Sequence, residues 1–287
     1  MNPSPNPNMA FPPDDVRAVP CDLAVPELLC GAPGPGRRAR EQLASWAGTE
    51  VYHVLHLPAD WRSEARLPVI VEYAGNGGYE NPRYGDRCTG TPEGCRLGYG
   101  LAAGRGFLWL CLPFVNAART ANETRWWGDA EATAEYAIAA VEHVCARYGG
   151  DPERVLLAGF SRGAIACNYI GLRHERIARL WRAFVAHSHY DGVRRWGYAG
   201  DDRAAALDRL QRLRGRPQFI SHERTVDPVR AWLDESGVRG DFTLLALPYG
   251  NHTDDWTLRP VPERALLRRW VRRALDLPAG AVREGGD

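Results

Sequence analysis

Gly159-Phe160-Ser161-Arg162-Gly163 sets a serine hydroxyl between two glycines, directly after the apolar run Val155-Leu156-Leu157-Ala158 and ahead of a helix-like stretch at 164–172. A serine on a sharp strand-to-helix turn is presented for nucleophilic attack. The residues two before and two after it must be small, because the turn packs backbone against backbone. The helix behind it offers free N–H groups and the positive end of its dipole to an oxyanion, which makes the Arg162 N–H a candidate donor. The structural alternative is an ordinary turn with a capping serine.

Such a nucleophile needs a base. His252, in the loop Gly250-Asn251-His252 after the apolar run at 243–247, is placed to take the serine proton and return it to a leaving group. A carboxylate must then hold the imidazole tautomer. Asp227, shortly after the apolar run at 218–221, is the expected acid; Glu223 is a nearer substitute and Asp191 a third. Asp227 has a second reading, as a residue that only caps a helix starting at Pro228. A further oxyanion donor is expected from Gly75-Asn76-Gly77, which follows the apolar run at 68–73, although a plain glycine turn reads the same way.

Composition narrows the chemistry. The chain has no lysine, so all 36 basic residues are arginine. That excludes Schiff-base and pyridoxal-phosphate enzymes, a Ser-Lys dyad and a Walker phosphate loop, and leaves histidine or a carboxylate as the base. Serine chemistry of this kind calls for no cofactor and no metal. A net charge of +1 argues against nucleic acid as a partner, and no apolar run reaches membrane-span length. The expected partner is a small-molecule or polymer-derived ester; the oligomeric state is not legible.

These residues need a scaffold that gathers them. Strand signals at 51–57, 68–73, 107–112, 155–158, 183–186, 218–221 and 243–247 alternate with helix signals at 130–148, 162–172, 203–212, 228–235 and 262–274. The alternation predicts an α/β fold with a mostly parallel central sheet and helices on both faces, its ligand site at the carboxyl ends of the strands. Residues 1–45 read as an N-terminal extension. Residues 46–287 read as one catalytic domain with loop insertions near 79–100 and 116–128. Cys88 and Cys95 flank a Gly/Pro/Thr-rich loop and could close it as a disulfide, which would place the protein outside the cytoplasm. The polar, Pro-rich start without a signal-peptide pattern points the other way.

On the segments 67–75, 159–163 and 250–252 the chain resembles the α/β-hydrolase superfamily, and within it serine esterases of the polyhydroxybutyrate-depolymerase and feruloyl-esterase type, over about residues 50–275. Ala74-Gly75 stands where that family usually has His-Gly. The resemblance implies a Ser161–Asp227–His252 triad, with Arg162 and the Gly75–Asn76–Gly77 loop as oxyanion donors, cleaving carboxylic esters through an acyl-enzyme. A peptidase, thioesterase or acyltransferase would share this site, and a non-catalytic binding protein would share the fold. Substrate contacts are expected from Trp126, Trp127, His187 and Tyr190. The alternatives are that the aromatic residues roof the core, or that His187, His189 and Asp191 hold a metal.

Overall fold

The computed structural model describes residues 14–278. Nine strands make its main sheet: β1 (Leu28–Leu29), β2 (Arg38–Glu41), β3 (His53–His56), β4 (Leu67–Tyr73), β5 (Leu108–Leu112), β6 (Gly150–Phe160), β7 (Ala183–His187), β8 (Gln218–Glu223) and β9 (Phe242–Leu247). Their order across the sheet is β1-β2-β3-β5-β4-β6-β7-β8-β9. Strand β3 runs antiparallel to both its neighbours, and every other pairing is parallel. The helices are α1 (Leu97–Ala102), α2 (Ala130–Tyr148), α3 (Arg162–Tyr169), α4 (Glu175–Ala178), α5 (Arg203–Gln211), α6 (Asp227–Ser236) and α7 (Pro262–Ala274).

The central strands are apolar on both sides because both sides are covered. Val69, Val71, Leu108, Leu110, Val155 and Leu157 pack on the side of α2, α3, α5 and α6. Their neighbours in sequence, Ile70, Trp109, Leu156 and Ala158, pack on the side of α1 and α7. Local chemistry sets both ends of the longest helix. In α2, Asp129 accepts the N–H groups of Glu131 and Ala132, and Gly149 ends the helix at φ +75°.

Register brings the functional strand ends to one edge. Tyr73 lies beside Gly159, Phe160 beside His187, His187 beside Ser221, and Glu223 beside Leu247. The loops after β4, β6, β7 and β9 therefore open on a common cleft, as the alternation predicts, with the end of β8 behind His252.

The N-terminal segment is not a separable extension. Within the described residues, β1 and β2 extend the sheet beyond β3, and Val16 is fully buried against the α1/α7 side of the core. Short polar strands such as Arg38–Glu41 carry little apolar signal, which is why the sequence does not announce them. The Cys88–Cys95 disulfide is also absent. Both thiols are free; Cys95 is buried near the Glu72 carbonyl, while the Cys88 sulfur lies against Gly75.

Candidate active site

Ser161 sits between β6 and α3 at φ +55°, ψ −115°, a conformation that costs a non-glycine residue free energy and persists because its surroundings fix it. The flanking glycines are required. A Cβ at Gly159 would run into the Gly163 carbonyl, and one at Gly163 into the Tyr73 carbonyl of β4. The Ser161 N–H donates to the His187 carbonyl of β7 at 2.9 Å, which pins the turn to the sheet edge.

His252 Nε2 lies 2.9 Å from Ser161 Oγ. Its other nitrogen, Nδ1, lies 3.0 Å from Glu223 Oε1. The carboxylate hydrogen-bonded to His252 is thus that of Glu223, the last residue of β8, and not that of Asp227. Strand β8 runs two residues past its expected end at 221, and its pairing with β9 puts Glu223 beside Leu247, five residues before the histidine. Asp227 is exposed in the first turn of α6, which starts one residue before Pro228; the N-cap is Val226 and no side chain caps the helix, so the capping reading of Asp227 is not met either. Asp191 is buried and engaged by Arg209 Nε at 2.7 Å. Burial by itself raises the Glu223 carboxyl. The His252 hydrogen bond, with the charges of His187, His252 and His222, outweighs that effect and holds it at about 2, so it is a carboxylate at neutral pH.

The imidazole is boxed on several sides. Tyr79 meets it edge-on at 4.7 Å between centroids, with Phe160 at 4.9 Å and His189 at 5.1 Å. Ser188 lies behind it, fully buried, at φ +83°. The loop carrying His252 is tied on both sides of the histidine. His187 Nε2 stands 2.9 Å from the Thr253 carbonyl, while Asn251 Oδ1 accepts the Val16 N–H at 2.8 Å.

A cleft of about 630 Å3 opens above Ser161 and His252, lined by Asn76, Gly78, Arg125, Trp126, Ile165, His189 and Trp196 among others. Among the described residues, the N–H groups of Arg162 and Asn76 meet no protein acceptor, and both residues face the cleft. The Gly77 N–H is engaged by the Thr124 carbonyl at 2.8 Å, which removes it from the expected oxyanion donors. Gly75 does not line the cleft; a Cβ there would lie 2.8 Å from the Cys88 sulfur, so its role is to admit a close approach.

Of the four expected substrate contacts, only Trp126 reaches the cleft. Trp127 is buried against Phe114 and Tyr169. Tyr190 is buried and donates to Gln218, and His187 is buried with Nδ1 3.0 Å from Ser221 Oγ. With both its nitrogens engaged by protein groups, His187 is not offered to a metal together with His189, and no group of three or more His, Cys, Asp or Glu among the described residues is arranged to hold one. Sequence reading overlooked Ser188 and Trp196. They lie one and nine residues beyond the end of β7, and neither residue type is distinctive on its own.

No protein-family model matches the chain, and no curated protein matches it. Solved structures do. The chain is similar to a Bacteroides ovatus protein assigned as a dipeptidyl aminopeptidase IV, with TM-score 0.57 and 15% identity over 84% of this chain and 36% of that one. It is also similar to Thermogutta terrifontis esterase 2 phosphorylated by paraoxon, with TM-score 0.52 and 16% identity over 81% and 92% of the two chains. A Thermus thermophilus protein gives TM-score 0.51 and 16% identity over 84% and 100%. The chain therefore spans about a third of the first structure and nearly all of the other two. At these identities the likeness is one of fold, and the fold is that of the α/β-hydrolases. Among the described residues, no helix is long and apolar enough to cross a membrane.

Proposed function

We propose that this chain is a serine hydrolase that cleaves carboxylic esters through an acyl-enzyme. The observation that carries the proposal is the continuous relay from Glu223 Oε1 through both nitrogens of His252 to Ser161 Oγ, with contacts of 3.0 and 2.9 Å. Ser161 Oγ attacks the acyl carbon while His252 Nε2 takes its proton. The Glu223 carboxylate accepts from Nδ1–H, fixes the tautomer and stabilises the imidazolium. The oxyanion faces the Arg162 and Asn76 N–H groups; a donor of this kind typically contributes about 2.7–4 kcal/mol. Collapse expels the alcohol, which takes the proton from His252. Water, deprotonated by the same imidazole, then attacks the acyl-enzyme and frees Ser161.

The cleft lining favours an ester over an amino-terminal dipeptide as substrate. No carboxylate among the described residues lines it to receive an α-ammonium group, and Glu223 is committed behind His252. The test is a fluorophosphonate probe and short p-nitrophenyl esters offered to wild type, Ser161→Ala and His252→Ala. Labelling and turnover are expected in the wild type and lost in Ser161→Ala. A folded wild type that neither labels nor turns over any ester overturns the reading.

A further inference from the structure

The cleft above Ser161 carries positive charge with no opposite charge of its own. Arg125 and Arg162 both line it, and no Asp or Glu does. His189, which lines the cleft beside His252, is held to about 3, chiefly by burial and then by the charge of His252, so it is neutral at working pH.

The two guanidinium groups are used differently. Arg162 is 1% exposed, with one nitrogen donating to the Trp126 carbonyl at 2.7 Å and another to the Gly90 carbonyl at 3.1 Å. Its Cζ lies 3.9 Å from the centre of the Phe114 ring, and its Nε is buried without a partner. Burial lowers this guanidinium to about 9, so it remains a cation at neutral pH in a wall that supplies only carbonyls. Arg125 is exposed, and its side chain makes no hydrogen bond or ion pair among the described residues. The nearby acid, Glu123, is occupied by the backbone N–H groups of Thr124 and Arg125, at 2.9 and 3.0 Å.

Arg125 is nevertheless a placed residue. Its guanidinium lies over Gly78, where a Cβ would stand 2.5 Å from the nearest nitrogen and 3.1 Å from Cζ. The next residue, Trp126, holds φ +49°, with its N–H donated to Asn76 Oδ1 at 2.7 Å and its carbonyl held by Arg162. Strain at this corner, fixed by ties to the oxyanion loop and to the residue after the nucleophile, turns Arg125 over the cleft. Trp196 packs on Trp126, 5.7 Å between ring centroids with the planes tilted by 52°, and the Arg194 guanidinium lies over its ring at 4.3 Å.

Resting on the serine-hydrolase reading, we propose that the cleft selects esters that carry a carboxylate, with the flat part of the substrate packed against the exposed side of the Trp126–Trp196 pair and the carboxylate on Arg125. A guanidinium pairs with a carboxylate through two parallel hydrogen bonds. The positive wall also concentrates anions at the mouth of the cleft.

The test compares matched esters. On the acyl side, p-nitrophenyl hemisuccinate is set against p-nitrophenyl butyrate; on the alcohol side, 4-acetoxybenzoate is set against phenyl acetate. The expected result is a charged-to-neutral ratio of kcat/KM well above one in one of the two pairs, which also tells which side of the scissile bond faces Arg125. Arg125→Gln is expected to lower that ratio about tenfold, the rim position keeping the effect modest, and Arg125→Glu to lower it further. Added salt should lower the wild-type ratio and leave that of Arg125→Gln nearly flat. If neutral esters turn over and label normally while both ratios stay at or below one, or Arg125→Gln leaves the ratio unchanged, anion selection is overturned and the hydrolase stands. If nothing turns over or labels, both fall.

Discussion

The Ser188 hydroxyl donates to Glu223 Oε1 at 2.5 Å, and its oxygen lies 2.6 Å from His252 Nδ1. It sits inside the acid–base pair and shares the Nδ1–H with the carboxylate. At φ +83° and fully buried, it occupies backbone that glycine adopts more easily, so keeping a serine there costs stability. Ser188→Gly should fold at least as stably as the wild type and lose about tenfold or more in kcat with KM little changed, the effect of a hydrogen bond to a charged group. Thermal melts and steady-state kinetics read both quantities. An unaltered kcat would make the hydroxyl a bystander.

Glu223 and Asp227 are four residues apart and separate cleanly by substitution. Glu223→Gln keeps the shape and removes the charge that fixes the imidazole tautomer; such a change lowers kcat by roughly 10^3–10^4 in related triads. Asp227→Asn, exposed at the start of α6, should leave kcat within about twofold and cost only a few tenths of a kcal/mol in helix-dipole interaction. The opposite ranking would restore Asp227 as the acid.

This pair also shows where sequence reading stops. The glycine-flanked turn and the post-strand histidine are legible because their chemistry is local: Gly159, Gly163 and the run of residues around Ser161 are contiguous. The parallel sheet is legible because its central strands are doubly buried and therefore uniformly apolar. The acid is not, because two more residues of strand β8 decide whether Glu223 or Asp227 meets His252, and that length is set by pairing with β9. Trp127 and Tyr190 carry the same ambiguity. An aromatic residue after a strand packs inward or outward according to a backbone angle that its type does not reveal.

His189 makes stability depend on pH in a predictable sense. Burial, followed by the charge of His252, depresses its folded value from 6.5 to about 3. Between these values the unfolded chain binds a proton that the folded chain refuses, so the contribution is complete above about pH 6.5 and lost as pH falls toward 3. Chemical denaturation at pH 7 and pH 4 should show a larger loss for wild type than for His189→Asn, which has no proton to bind. Equal losses in both proteins would remove His189 from the account.

The last expectation concerns the N-terminal segment, whose backbone straps the loop of the base. Gly250 N–H donates to the Asp14 carbonyl at 2.9 Å, and Asn251 Nδ2 donates to Asp15 Oδ1 at 3.1 Å and to Asp86 Oδ1 at 3.3 Å. Asn251 is buried and adjacent to His252, so its side chain fixes where the imidazole begins. Asn251→Ala leaves the Val16 N–H and the Asp86 carboxylate short of a partner, at about 1–3 kcal/mol for each group left unpaired. The consequence for function is distinct from that loss. With its anchor gone, the 250–254 loop samples positions in which Nε2 is no longer 2.9 Å from Ser161 Oγ, and kcat should fall by more than tenfold while the core remains folded. Deletion of residues 1–16 should reproduce the loss through the other side of the same contact. Hydrogen exchange supplies the check: faster exchange confined to the 250–254 loop, together with slowed fluorophosphonate labelling of Ser161, identifies the strap as a positioning element. Unchanged exchange and labelling in a folded variant would show that the loop holds its shape without it.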